Sequence, residues 1–254
     1  MLDLAPGRPY TCIRSSLVSN AFRRGGPIRL RIRLWVLLGV LGALGLARAT
    51  GVLRAQAAPS LTASDVDSVV RQAAAEAQRQ GLRAFVAVTD KTGHVLALFR
   101  MDGAPPVSTV AGVAGGGQGL QGVPLPADLV AITKAGSGAF LSSGGNAFST
   151  RTASFIIQQH FPPGVDFTSG GPLFGVQFSS LPCTDFKSPP LPLGLAGDPG
   201  GLPLYKDGIL VGGVGVEGDG HYGIDLDPTT LDDPDDSIGE ETAALAGTRG
   251  YDTP

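Results

Sequence analysis

The sequence predicts a mixed domain of helices and antiparallel β-hairpins, with the sheet covered at least partly on each face. Two stretches point there first: residues 84–103, AFVAVTDKTGHVLALFRMDG, and residues 200–218, GGLPLYKDGILVGGVGVEG, each set an apolar run around a short polar turn that ends in glycine. That pattern is a β-hairpin. The third observation is an amphipathic helix directly ahead of the first hairpin, over residues 63–80. Because the two hairpins lie about 100 residues apart, a sheet joining them closes over the intervening chain and can frame a pocket.

Taken in order, the 254-residue chain opens on a segment unlike the rest: residues 1–57 hold nine of the 19 basic residues and one acidic residue, Asp3. Arg23, Arg24, Arg29, Arg31 and Arg33 form a positive stretch, residues 34–46 an apolar core too short for a comfortable span, and Ala55-Gln56-Ala57 a small-x-small cleavage site. The segment reads as a signal peptide cleaved near Ala57, giving a periplasmic or secreted product. An uncleaved N-terminal membrane anchor is the alternative. Gly25 and Gly26, following the Arg23-Arg24 pair, favour ordinary secretion over twin-arginine export. Residues 58–254 then have the size of a single domain.

In the first helix Thr62 is the cap, Asp65 its acidic partner three residues on, and Val66, Val69, Val70, Ala73, Ala74 and Ala77 recur at helical spacing before Gly81 ends it. Residues 85–89 follow as a strand, Asp90-Lys91-Thr92-Gly93 as the turn, and residues 94–100 as the antiparallel partner. Strict alternation places His94, Leu96, Leu98 and Arg100 on one face and Val95, Ala97 and Phe99 on the other, so cover is expected on both. After a Gly-rich run over residues 112–122, residues 127–140 are helix-like but interrupted by Gly136 and Gly138. Residues 150–161 form a better helix, with Ala153, Ile156, Ile157 and His160 on one face and Pro162-Pro163 as its stop.

This helix lies within a long Gly/Pro-rich insert, about residues 141–199, whose part after Pro163 adds only a short strand over residues 174–178. The second hairpin turns at Asp207-Gly208. Its Gly212, Gly213 and Gly215 leave a bare strip open to another backbone, a helix or a flat ligand. An acidic tail from Glu217 ends in a short helix over residues 238–246.

Charge and motifs exclude several functions. Residues 58–254 carry 10 basic and 21 acidic residues, a formal charge of −11, which repels nucleic acid. No stretch after residue 57 resembles a transmembrane helix, so no membrane contact is expected once the leader is removed. Cys12 leaves with the leader and Cys183 stands alone, so no internal disulfide forms in the remainder. No phosphate loop with lysine, H-E-x-x-H, G-x-S-x-G or cysteine pair is present, and hydrolase or nucleotide chemistry is unsupported. The tail aspartates 225, 227, 232, 233, 235 and 236 lack the glycine and terminal glutamate of an EF-hand, so they read as a solvated face rather than a calcium site.

The helix LTASDVDSVVRQAAAEAQRQGL, the hairpin AVTDKTGHVLALFRMDGAPP and the run GGLPLYKDGILVGGVGVEGDG, in that order, resemble the GlcG/HbpS-like haem-binding family. The RMDGAPP and GGLPL…DG…VGGVGV runs carry the resemblance at the two ends of residues 58–254; the segment 141–199 marks an extended, exported variety. The resemblance implies a profilin-like α+β fold, a homo-oligomer, and binding of haem or a related tetrapyrrole, with relatives linked to haem breakdown or redox sensing.

Haem iron takes a His, Cys, Met or Tyr ligand, and its propionates take a cation. His94 lies within the family motif and is the first candidate ligand, against the reading of a turn histidine bonded to Asp90. His160 ends a helix beside Ile156 and Ile157, where it can reach an apolar pocket or simply complement the dipole. His221, in GDGHYGIDLD, reads as solvated. Cys183, in SSLPCTDF, is a candidate thiolate or a small buried hydrophobe, and Met101 can pack on a porphyrin or fill the core. Arg100 and Lys134 are candidate propionate partners, or else pair with an acid such as Asp102 or Asp128. Two other functions stay open: a small-metabolite enzyme using Arg100, Lys134 and His94, and a ligand-free oligomeric module.

Overall fold

A computed structural model describes residues 58–111, 121–157, 179, 191, 193–224 and 237–253. The expected leader, the strand over residues 174–178, His160, Cys183 and the tail aspartates lie outside the described residues. The chain divides between Ala58 and Pro59, and every element below belongs to the second unit.

Helix α1, Ala63–Arg79, begins as the sequence predicts. Thr62 Oγ1 accepts from the Asp65 amide at 3.2 Å while Asp65 Oδ2 accepts from the Thr62 amide at 2.7 Å, closing a capping box. Gly81 sits at φ +76° and Leu82 donates to the Ala77 carbonyl, which ends the helix. The chain then enters strand β1, Phe85–Asp90, turns, and returns as β2, Val95–Arg100. The second hairpin is β5, Gly201–Lys206, and β6, Ile209–Glu217, joined by Asp207 at φ +51° and Gly208 at φ +73°. Between the hairpins come β3, Val107–Val110, β4, Pro124–Pro126, and helices α2, Ala127–Phe140, and α3, Thr150–Ile157. The two-residue β7, His221–Tyr222, and helix α4, Ile238–Gly247, follow.

The hairpins do share one sheet. Its order is β2-β1-β6-β5, antiparallel throughout, with Val86 opposite Val216 and Val88 opposite Val214. A smaller sheet, β4-β3-β7, pairs β3 antiparallel with β4 and parallel with β7. The fold is therefore α+β, as expected. Val86, Val88, Val214 and Val216 turn to one face of the main sheet and pack with Val69, Ala73 and Ala77 of α1 and Ala243 and Ala244 of α4. Phe85 and Ala87 turn to the other and pack on Ala127, Ala131 and Ala135 of α2.

Three expectations change. Helix α2 is unbroken, and its glycines are contact points: a Cβ on Gly138 would lie 2.7 Å from the Leu202 carbonyl carbon, and one on Gly136 would press into the Leu191 side chain. The strip at Gly213 and Gly215 is not a ligand surface, because the Ala135 and Ala131 carbonyls of α2 lie against those two residues. A bulge between Val88 and Thr89, where Ala97 and Val95 are successive partners, breaks the strict alternation assumed for β2.

The two edges of the main sheet differ. At β5, Pro203 lacks an amide to offer, and the Tyr205 amide donates to the Tyr251 carbonyl at 2.8 Å. At β2, Val95, Leu96, Leu98 and Phe99 are each 41–43% exposed, so the cover expected on both faces stops short of this strand. No helix among the described residues is long and apolar enough to cross a membrane.

Candidate functional site

The sequence candidates separate into a surface turn and a buried cluster. In the turn, Asp90 Oδ1 accepts from the Thr92 amide and hydroxyl, both at 2.7 Å, and from the His94 amide at 3.0 Å. Asp90 Oδ2 and the Thr92 hydroxyl lie 3.2 and 2.8 Å from His94 Nδ1. Burial pushes the Asp90 carboxyl up, but the hydrogen bonds from Thr92 and His94 outweigh it and hold the group below its ordinary range. The His94 side chain is 71% exposed. With Nδ1 engaged, Nε2 is the nitrogen left for a ligand.

Arg100 closes the far end of β2, its guanidinium 5.4 Å from the centre of the Phe85 ring and its Nη2 donating to the Ala104 carbonyl at 3.1 Å. Six residues of strand span roughly 20 Å, so His94 and Arg100 of one chain do not converge on a small ligand. Met101 is buried in the α1-side core, which is its packing alternative.

Lys134 requires a correction. It meets neither Asp128 nor open solvent: its side chain is 0% exposed, and Nζ pairs with Asp198, with Glu240, and with Glu217 at 2.7 Å. Helix α2 supplies the lysine, the segment before β5 supplies Asp198, the end of β6 supplies Glu217, and the first turn of α4 supplies Glu240. Burial works against the Lys134 ammonium, yet Asp198, Glu217, Glu240 and Asp219 together hold its pKa well above the ordinary value. This lysine has no charge to spare for a propionate.

The three carboxylates offer oxygens within 4.8 Å of one another, which is metal-site spacing. The ammonium already pairs with all three and takes the cation's place. Sequence reasoning missed Asp198, Glu217 and Glu240. A signal existed, since Lys134 and Glu217 are lone charges in the apolar runs LVAITKAG and LVGGVGVEG, and lone charges at such positions are buried only when paired.

Elsewhere, a cleft of about 260 Å³ opens between Thr152 at the start of α3, Leu202 and Pro203 of β5, and Leu245 and Thr248 at the end of α4. It is smaller than a usual cofactor pocket and includes none of the sequence candidates. His221 is exposed on β7.

Residues 61–111 match the family model described as haem degrading protein HbpS-like. The resemblance drawn from the first hairpin is borne out there. That span holds α1, the first hairpin and β3, and with them His94, Arg100 and Met101; the GGLPLYKDGILVGGVGVEG run falls outside it. Three solved structures are similar. The Klebsiella pneumoniae protein ORFY is 17% identical, with 78% of this chain and 94% of that one covered and a TM-score of 0.46. A PduOC:heme complex is 20% identical, covering 74% and 95%, with a TM-score of 0.45. A double mutant of Streptomyces reticuli HbpS is 19% identical, covering 76% and 88%, also at 0.45. No curated protein matches the chain.

Proposed function

We propose that this chain is an exported haem-binding protein acting in haem sequestration, sensing or degradation, with His94 as the iron ligand. The match of residues 61–111 to the HbpS-like family, which includes His94, carries the reading. The local chemistry fits. Asp90 and Thr92 engage Nδ1, the usual support for a histidine that coordinates through its other nitrogen. The exposed apolar residues Val95, Leu96, Leu98 and Phe99 adjoin it, and Lys91 of the same turn is an exposed cation suited to a propionate. Haem, when bound, supplies redox and oxygen chemistry; the chain holds its nitrogen in position and provides the apolar surface.

The same open β2 edge supports a homo-oligomer, and residues 1–57 support export. The test is a hemin titration of residues 58–254, read at the Soret band. Saturable binding weakened about tenfold or more by His94→Ala supports the proposal. Absence of saturable binding, or full affinity in the variant, overturns it.

A further inference from the structure

The elements that meet at Lys134 carry more negative charge into the interior than positive. Asp198, Glu217 and Glu240 face one ammonium, and all four residues are at most 2% exposed. Asp219, just beyond β6, adds to the field; the Tyr222 phenol of β7, which burial and then Asp198 keep neutral, adds no charge, and β3 contributes only the Ser108 hydroxyl. Among the described residues no second cation contacts the group. Fully ionised, it would hold two uncompensated negative charges away from water, a state that buried carboxyls avoid by keeping protons.

The hydrogen bonds show where the surplus lies. Asp198 Oδ1 accepts from the Gly223 amide at 3.0 Å, Glu240 Oε1 from the Asp219 amide at 3.0 Å and from the Gly218 amide, and Glu217 Oε1 from Ser108. Asp198 Oδ2 and Glu217 Oε2 are wholly buried and turn to the Lys134 ammonium, which Glu240 Oε2 also contacts. Three carboxylate oxygens within 4.8 Å of one another crowd one ammonium, and a proton on one of them relieves the surplus.

We propose that Asp198, Glu217, Glu240 and Lys134 form a proton-binding site that keeps at least one carboxyl protonated at neutral pH and latches the α4 N-terminus and the Asp198 segment to the end of β6. Loss of that proton to hydroxide leaves a buried carboxylate that repels its neighbours and loosens the latch. The direction of titration agrees: burial pushes Asp198 and Glu217 up to about 7 and Glu240 well above the ordinary carboxyl range, with neighbouring carboxylates adding to the rise and Lys134 opposing it. Because the folded value is the higher one, the site's contribution is complete below the unfolded value and is lost as pH rises through about 7.

The test is urea unfolding of the full chain from pH 5 to pH 9, with amide exchange at Gly218, Asp219 and Gly223 and an infrared search for a protonated-carboxyl band at pH 7. The folding constant should fall about tenfold per pH unit for each proton the folded state retains, and the three amides should exchange faster with pH than intrinsic chemistry allows. Glu217→Gln or Asp198→Asn, neutral at every pH, should each flatten the slope by about one proton and remove carboxyl absorbance. Lys134→Met should steepen it, because another carboxyl must then take up a proton. A flat wild-type profile without the carboxyl band overturns the proposal. So do amide variants that keep the wild-type slope. If Asp198→Asn does not fold, Glu217→Gln decides.

Discussion

Replacing Gly138 by alanine sets two effects of opposite sign against each other. Alanine in a helix interior is favoured over glycine by about 1 kcal/mol. Yet the new Cβ would lie 2.7 Å from the Leu202 carbonyl carbon and 2.9 Å from its nitrogen and oxygen. All three are backbone atoms of β5, and ordinary contact begins near 3.4 Å. Helix α2 and the sheet must therefore separate by about 0.7 Å, and overpacking that no side-chain rotation can relieve belongs near the top of the usual range of about 1–3 kcal/mol. The net expectation is a loss of about 1–2 kcal/mol, or roughly 2–8 °C in Tm for a domain of this size. At Gly136 the obstructing atom is the Leu191 side chain, which can move, so Gly136→Ala should stay within about 1 kcal/mol of wild type. Gly145, with nothing within 4 Å of an added Cβ, serves as the neutral control. Urea midpoints followed by far-ultraviolet circular dichroism separate the three. Should Gly138→Ala prove as stable as Gly145→Ala, the close seating of α2 on β5 is wrong.

Asp65 and the β2 edge yield two more expectations. Asp65 caps α1, pairs with Lys206 at 2.7 Å and accepts from the Tyr251 hydroxyl at 2.8 Å; the Lys206 bond first, and then Thr62, hold its carboxyl far below the ordinary range. Stability from this depressed group is present above the unfolded value and is lost as pH falls through the folded one, so Asp65→Asn should cost about 1–2 kcal/mol at pH 7. The gap to wild type should narrow in acid, as urea unfolding at pH 7 and pH 2 will show. Leu98→Lys puts a charge on the exposed edge, and light scattering should then report weaker self-association with an unchanged melting temperature. Unaltered assembly would remove the edge as the contact.

The local code was readable where local chemistry decides. The Thr62/Asp65 box, Gly81 and the Asp207-Gly208 turn each act within a few residues, and α1 and both hairpins stand where the sequence places them. The single sheet expected to join the two distant hairpins appears as the β1–β6 ladder. What escaped depends on distant neighbours. Gly136 and Gly138 weaken a helix by propensity, but Leu191 and Leu202 pack against them and α2 persists. The role of Lys134 depends on residues 64, 83 and 106 positions further along the chain, a separation beyond any periodicity. His94 was legible as a candidate from its motif, and its bond to Asp90, foreseen as the plainer reading, is what orients it.

Among the described residues, the Tyr251 carbonyl takes up one amide of the β5 rim of the main sheet, while the apolar side chains of the β2 rim are exposed. A slab with a single free rim can join one copy of itself around a two-fold axis, and growth then stops. Freeing the second rim removes that stop and permits addition end upon end. If copies pair through β2 as proposed, the backbone carbonyl of Tyr251, which no inspection for catalytic groups would select, is one of the groups that stand between a finite assembly and a fibre.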